Sequence, residues 1–95
     1  MDEEWKLYRQ YLGDPHPDEE TIFLAEESLK AMIDGYYDEF DRQVARYNLA
    51  DIYIKTGHFD LARTLIREIQ NSSDPLDVDG LLRDLKIAEE GRYEQ

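Results

Sequence analysis

The sequence predicts an all-α domain of about five helices. Proline and glycine divide the chain into helix-length segments, and nowhere do four or more residues alternate apolar and polar with the enrichment in β-branched residues that is typical of a strand. Within the segments, apolar residues recur three and four positions apart, which is the spacing of one helix face. With 95 residues, 41% of them hydrophobic, the chain can bury one core. We therefore expect a single helical domain spanning residues 1–95.

A first helix is predicted at about residues 2–12. Trp5, Tyr8 and Leu12 fall on one face of it at helical spacing. Gly13 follows and is the expected stop.

A second helix is predicted at about residues 17–34. Pro17 suits the first helical position, because the N–H that proline lacks would have no partner there. Its apolar stripe consists of Ile22, Ala25, Leu29, Met32 and Ile33. Gly35 is the expected stop, although a helix continuing through it would lose only about 1 kcal/mol. Of Tyr36 and Tyr37, at least one ring is expected to be exposed, since consecutive helical residues do not share a face.

A third helix is predicted at about residues 39–56, with Asp38 or Asp41 as its N-cap. Its apolar residues are Phe40, Val44, Tyr47, Leu49, Ile52, Tyr53 and Ile54. They fall on more than one side, so we expect neighbouring helices on more than one side.

Two further helices are predicted at about residues 59–71 and 77–90, separated by a loop rich in Asn, Ser, Asp and Pro. The first is expected to bury Leu61, Leu65, Ile66 and Ile69, and the second Leu81, Leu82, Leu85 and Ala88. Either Asp77 or Asp79 caps the last helix, which suits the end of a helical stack.

Helices three and four are joined by a very short link around Gly57, so they must pack antiparallel as a hairpin. Gly57 is expected to adopt the left-handed conformation that ends a helix. The hairpin resembles the tetratricopeptide repeat (TPR), in which small residues lie where two antiparallel helices touch and large ones fill the gaps between. The matching residues are Leu49, Ala50, Tyr53, Gly57, Phe59, Ala62 and Ile66. The resemblance implies antiparallel helical hairpins stacked in a TPR-like array.

The resemblance covers about residues 43–75, and three positions depart from the TPR pattern. Arg46 stands at a large apolar position, Ile69 at a small one, and Pro75 comes one place late. Residues 49–69 also look like the hairpin in the C-terminal domain of bacterial pilus-assembly hub proteins. A repeat of the TPR kind usually needs about three stacked units. No second repeat is present, so either the other helices or a second copy of the chain must cover the hairpin.

The resemblance implies a protein-protein interaction module, adaptor or chaperone-like, because the first helix of each TPR hairpin lines a concave face that holds a peptide or helix of a partner. The corresponding partner-binding positions are Val44, Tyr47, Asn48, Asp51, Ile54 and Lys55. Asn48 falls where carboxylate-binding TPR proteins place an asparagine. Those proteins also need Lys and Arg from neighbouring repeats, so a solvated or hairpin-bonded Asn48 is the alternative.

The net charge of -12 argues against direct binding of nucleic acid, which needs clustered Lys and Arg. Residues 1–42 hold 13 acids and 4 bases, whereas residues 43–72 hold 3 acids and 4 bases. An alternative function is therefore an acidic inhibitor or nucleic-acid mimic that occupies a basic protein surface. A purely structural homo-oligomer is a third possibility.

No pattern in the sequence predicts an enzyme, a cofactor or a metal site. There is no cysteine, and His16 and His58 lie in predicted turns without a partner at metal-binding spacing. A calcium loop around Asp77 fails, because Pro75 and Lys86 occupy its first and last ligand positions. The absence of cysteine and of a long apolar run predicts a cytoplasmic protein that does not bind membranes.

Overall fold

The computed structural model describes residues 3–35 and 37–91, with side chains from Trp5 onward. Five helices form this part of the chain: α1 (Glu3–Gly13), α2 (Glu19–Asp34), α3 (Glu39–Lys55), α4 (Phe59–Gln70) and α5 (Asp79–Glu89). No strand occurs among these residues. The predicted all-α fold of five helices is confirmed.

Aspartate side chains determine where α2 and α3 begin. The Thr21 N–H donates to Asp18 Oδ1 at 2.8 Å, and the Asp41 N–H donates to Asp38 Oδ1 at the same distance. Each bond satisfies a backbone donor that has no partner within its helix. Asp38, not Asp41, is therefore the cap of α3, and α2 begins two residues later than predicted from Pro17.

Gly35 ends α2, and the helix does not continue through it. The Gly35 N–H donates to the Met32 carbonyl at 3.4 Å. A Cβ at Gly35 would lie 2.9 Å from the Ala31 carbonyl oxygen, which is too close for an ordinary residue. Tyr37 follows half-buried and packs against the core, while Tyr36 lies outside the described residues.

The turn between α3 and α4 has the predicted left-handed glycine. Gly57 has a φ of 84°, a conformation that residues with a Cβ rarely adopt. The following His58 N–H donates to the Tyr53 carbonyl at 2.8 Å, and the Thr56 hydroxyl donates to the Ile52 carbonyl at 2.9 Å. These bonds satisfy the last carbonyls of α3 and turn the chain back along it.

The start of α5 differs from both predicted caps. Val78 occupies the cap position, and no side chain caps the helix. The Asp77 carboxylate instead accepts the Asp79 N–H at 2.9 Å, which closes a local turn before the helix. The helix therefore begins two residues later than predicted.

Each helix packs on the next one along the chain, and α5 packs on both α3 and α4. The third helix is therefore the centre of the domain, as its apolar residues on several sides predicted. Ala50 of α3 and Ala62 of α4 are completely buried in the core. None of the helices in the described ranges is long and apolar enough to cross a membrane.

Four residues predicted to contribute apolar surface to the core are exposed instead. They are Leu12, Phe40, Leu61 and Leu82. Leu61 is 50% exposed because α4 turns Ala62, its neighbour, toward α3. In α5 the buried residues are Leu81, Leu85 and Ala88, and this places Leu82 about 100° away from Leu81 around the helix.

One buried polar side chain fastens the loop between α4 and α5. Gln43 of α3 is 2% exposed. Its amide donates to the Asp74 carbonyl at 2.9 Å and accepts the Leu76 N–H at 3.1 Å. The loop is thereby held against α3 shortly before α5 begins.

Candidate partner-binding surface

Four of the six predicted partner-binding residues form one accessible strip along α3. Val44, Asn48 and Asp51 are half-buried, and Lys55 is exposed. The strip runs the length of the helix because these positions are three and four residues apart. We call it, together with Tyr47, the α3 surface.

Tyr47 lies at the edge of this strip and faces the start of α5. With Val44, Leu76 and Asp77 it lines a cleft of about 270 Å³. A Cβ at Gly80 would lie 3.7 Å from the Tyr47 hydroxyl oxygen, so the ring reaches the first turn of α5. The α3 surface therefore includes a small, largely apolar recess with a carboxylate at its rim.

Ile54 is not part of the accessible surface. It is 2% exposed and belongs to the core. The TPR resemblance assigns position 54 to the concave face, but in this chain the neighbouring helices cover that side of α3. An isoleucine can be buried there without an unpaired polar group.

Lys55 forms an ion pair at the C-terminal end of the α3 surface. Its Nζ lies 3.0 Å from Asp51 Oδ2. Burial disfavours the charged ammonium, but the hydrogen bond and charge of Asp51, with smaller effects of Tyr11 and Asp84, raise the pKa of Lys55 above its usual value. Asp51 is therefore the main partner of this ammonium group.

Three aromatic side chains of α1 cluster together. Tyr8 and Tyr11 are buried, with ring centroids 6.2 Å apart, and the ring centroid of Trp5 lies 6.1 Å from that of Tyr8. Burial, followed by the charge of Asp51, raises the pKa of Tyr8 to about 12. Burial also raises the pKa of Tyr11. The effect of Asp51 on Tyr8 depends on tertiary packing, so no local pattern in the sequence indicates it.

Charges of both signs lie around the α3 surface. Asp51 is paired with Lys55, and Asp77 lines the recess. A Cβ at Gly80 would lie 3.7 Å from the Tyr47 hydroxyl oxygen and 3.9 Å from an Arg83 guanidinium nitrogen, so this cation is also near the recess. The carboxylate that lines the recess is that of Asp77. This carboxylate favours a partner segment that carries positive charge.

The two histidines are not brought together. His16 is exposed in the loop before α2, whereas His58 lies in the α3–α4 turn. There its Nδ1 is 2.8 Å from the Thr56 hydroxyl, and its ring packs edge-on against Tyr53. Within residues 3–35 and 37–91, no group of three or more acidic or histidine side chains is arranged to hold a metal ion.

The acids of the N-terminal half are largely solvent-facing. Asp18, Glu19 and Glu20 are exposed around the start of α2. The Thr21 backbone N–H, with its side chain in second place, lowers the pKa of Asp18 below its usual value. Glu27 is also exposed and pairs with Lys30 at 3.3 Å.

No protein-family model, curated protein or solved structure matches this chain. The TPR resemblance therefore depends on the seven residues of the central hairpin. Five of them are buried: Leu49, Ala50, Tyr53, Ala62 and Ile66. Phe59 is half-buried against the core, and Gly57 makes the turn. Arg46, which departs from the pattern, forms ion pairs with Glu39 and Glu68.

Proposed function

We propose that this chain is a protein-protein interaction module, adaptor or chaperone-like, that holds a peptide or helix of a partner protein against the α3 surface. The observation that carries the proposal is the recess that Val44 and Tyr47 of α3 form with Leu76 and Asp77. Hydrogen bonds from Gln43 hold the loop on one side of this recess, and a preformed surface reduces the entropy lost on binding.

The chemistry of the surface favours a segment with one apolar and at least one basic side chain. The recess beside Tyr47 has room for an apolar side chain, and Asp77 at its rim favours a neighbouring cation. Asn48 can both donate to and accept from a peptide backbone, because its side-chain amide carries both groups. The TPR resemblance supports the same surface, since α3 is the first helix of the matching hairpin.

The proposal is tested by affinity capture from the native lysate with a matched pair of variants. Asn48→Arg places a large cation in the middle of the α3 surface. Asn71→Arg makes the same change at the exposed end of α4 and is the control. Circular dichroism checks that both variants stay folded.

The expected result is a partner that the wild-type chain and Asn71→Arg retain and Asn48→Arg loses. The partner should remain bound at both about 0.1 M and about 0.5 M salt, because the recess contributes apolar contacts that salt does not screen. Equal capture by both variants would contradict the proposal.

A second candidate is the acidic inhibitor or nucleic-acid mimic. The observation that favours it is the exposure of Asp18, Glu19 and Glu20 together at the start of α2. Partners would then be basic proteins that are lost at high salt, since exposed charge pairs are strongly screened. Replacing Glu19 and Glu20 by Gln should weaken capture in that case, while Asn48→Arg should not.

A further inference from the structure

A groove between α4 and α5 lies open on a different part of the molecule. It has a volume of about 200 Å³. Its lining is Arg63, Ile66, Arg67 and Gln70 of α4 with Leu82 and Leu85 of α5. Leu82 is 41% exposed, and no further helix follows α5 in the described part of the chain to cover it.

The rim of the groove carries cations in a protein that is otherwise strongly acidic. Arg63 is paired with Asp60 at 3.0 Å and with Glu89 across the groove. Arg67 and Lys86 are exposed and have no acidic side chain within 4.0 Å among residues 5–35 and 37–91. Lys86 is one helical turn beyond Leu82, so it lies on the same side of α5. An apolar helix face bordered by acids would complement this groove.

Helix α2 has such a face. Glu20, Phe23, Leu24 and Glu27 are spaced i, i+3, i+4 and i+7, which places all four on one side of the helix. Phe23 is 56% exposed and Leu24 37% exposed, and both glutamates are exposed. Lys30 lies one turn beyond Glu27 and pairs with it at 3.3 Å, so this side of α2 carries two acids and one cation beside the apolar pair. Amphipathic helices dock in grooves through such exposed apolar side chains.

The groove and the exposed face of α2 are separate surfaces. Helix α2 packs on α1 and α3, and not on α4 or α5, so the two surfaces belong to different parts of the domain.

We propose that the α4–α5 groove binds α2 of a second copy of this chain. Phe23 and Leu24 pack against Leu82 and the floor of the groove. Glu20 and Glu27 beside them pair with Arg67 and Lys86, and Glu27 exchanges Lys30 for this new partner. The contact joins two different surfaces, so two copies can close reciprocally on each other or copies can add head to tail. The α3 surface of each copy takes no part in either arrangement.

Sedimentation velocity of the full chain from micromolar to millimolar concentration tests the proposal. The wild-type chain should form dimers or larger species as concentration rises. Phe23→Asp removes the α2 face and Leu82→Asp removes the groove, so each variant should remain monomeric alone. Both positions are exposed, and circular dichroism checks that the helices are kept.

Mixing the two variants gives the deciding measurement. The Phe23→Asp chain keeps its groove and the Leu82→Asp chain keeps its α2 face, so the mixture should form a one-to-one dimer that grows no further. Phe40→Asp is the control, because Phe40 is more exposed than Phe23 and Leu82 and lies outside both surfaces. It should associate like the wild-type chain.

Three outcomes would overturn the proposal. They are a wild-type chain that stays monomeric throughout, variants that associate like the wild type, and a mixture in which no dimer forms.

Discussion

The Leu76 N–H donates to the side chain of Gln43, and 33 positions of sequence separate these two residues. The same amide donates to the Asp74 carbonyl, so both ends of one buried side chain are satisfied by the loop before α5. The pair therefore determines where Leu76 and Asp77 lie relative to Tyr47. The shape of the recess in the α3 surface therefore depends on a hydrogen bond inside the domain, away from any bound partner.

Replacing Gln43 by Leu should destabilise the domain. The substitution removes two part-buried hydrogen bonds, to the Asp74 carbonyl and from the Leu76 N–H, and a typical intramolecular hydrogen bond contributes about 0.5–1.5 kcal/mol. For a domain of this size, each kcal/mol lowers the melting temperature by about 4–8 °C. Thermal unfolding followed by circular dichroism measures the change. Gln10→Leu, at an exposed position of α1, is the control and should melt close to the wild type; equal melting of both variants would contradict the role of Gln43.

Replacing Gly57 by Ala should also destabilise the domain, although a Cβ there would meet no atom within 4 Å. The cost comes from the left-handed backbone, which disfavours a residue with a Cβ by about 1–2 kcal/mol. Gly57→Asn should cost less, because asparagine tolerates this conformation better. Gly80→Ala, in the first turn of α5 and without positive φ, should leave stability unchanged or raise it by up to about 1 kcal/mol. Urea unfolding measures the stability of all three variants. A Gly57→Ala chain as stable as the wild type would show that the left-handed backbone at this position causes no strain.

Stability should fall as the pH rises from about 10 to about 12, because the pKa of Tyr8 is about 12 in the folded chain and about 10 when unfolded. The folded state keeps this proton where the unfolded state has lost it. The contribution of this proton to the stability of the fold is therefore complete below pH 10 and is lost as the pH approaches 12. Urea unfolding at a series of alkaline pH values should show a shallower decline for Tyr8→Phe. Asp51→Asn should lower the pKa of Tyr8, and an unchanged slope in Tyr8→Phe would assign the alkaline decline to other groups.

Ile54 and Val44 should respond differently to truncation, although the TPR resemblance places both on the binding face. Ile54→Ala creates a cavity in the core and should cost about 2–5 kcal/mol. Val44→Ala, at a half-buried position, should cost less and weaken capture of the partner instead. Urea unfolding and capture of the two variants separate these effects. An Ile54→Ala chain of normal stability with weakened capture would restore Ile54 to the binding surface.

Helix boundaries were predictable because the signals that set them are local. Gly57 and Asp38 act on residues within one turn of themselves, so the sequence contains the whole interaction. The exposed sides of α4 and α5 were predicted less well. Adjacent apolar residues such as Leu81 and Leu82 both fit a helical stripe, and only the direction of packing on α3 decides between them.

The candidate site was predictable only in part, for the same reason. The accessible strip of α3 follows from helical spacing, and four of its residues lie where predicted. The effects of Tyr11 and Asp84 on the pKa of Lys55 come from helices distant in sequence. The hydrogen bond of Gln43 likewise joins α3 to a loop more than thirty residues away. Such long-range contacts have no local signature in a single sequence.

The position of Trp5 beside Tyr8 gives the protein an intrinsic optical probe. It is the one tryptophan of the chain, and it lies on α1, which packs on α2 at one end of the domain. Its fluorescence reports the release of α1, whereas the far-ultraviolet signal reports all five helices together. Coincident transitions would show that α1 melts with the rest, and an earlier fluorescence change would show that the N-terminal helix comes away first.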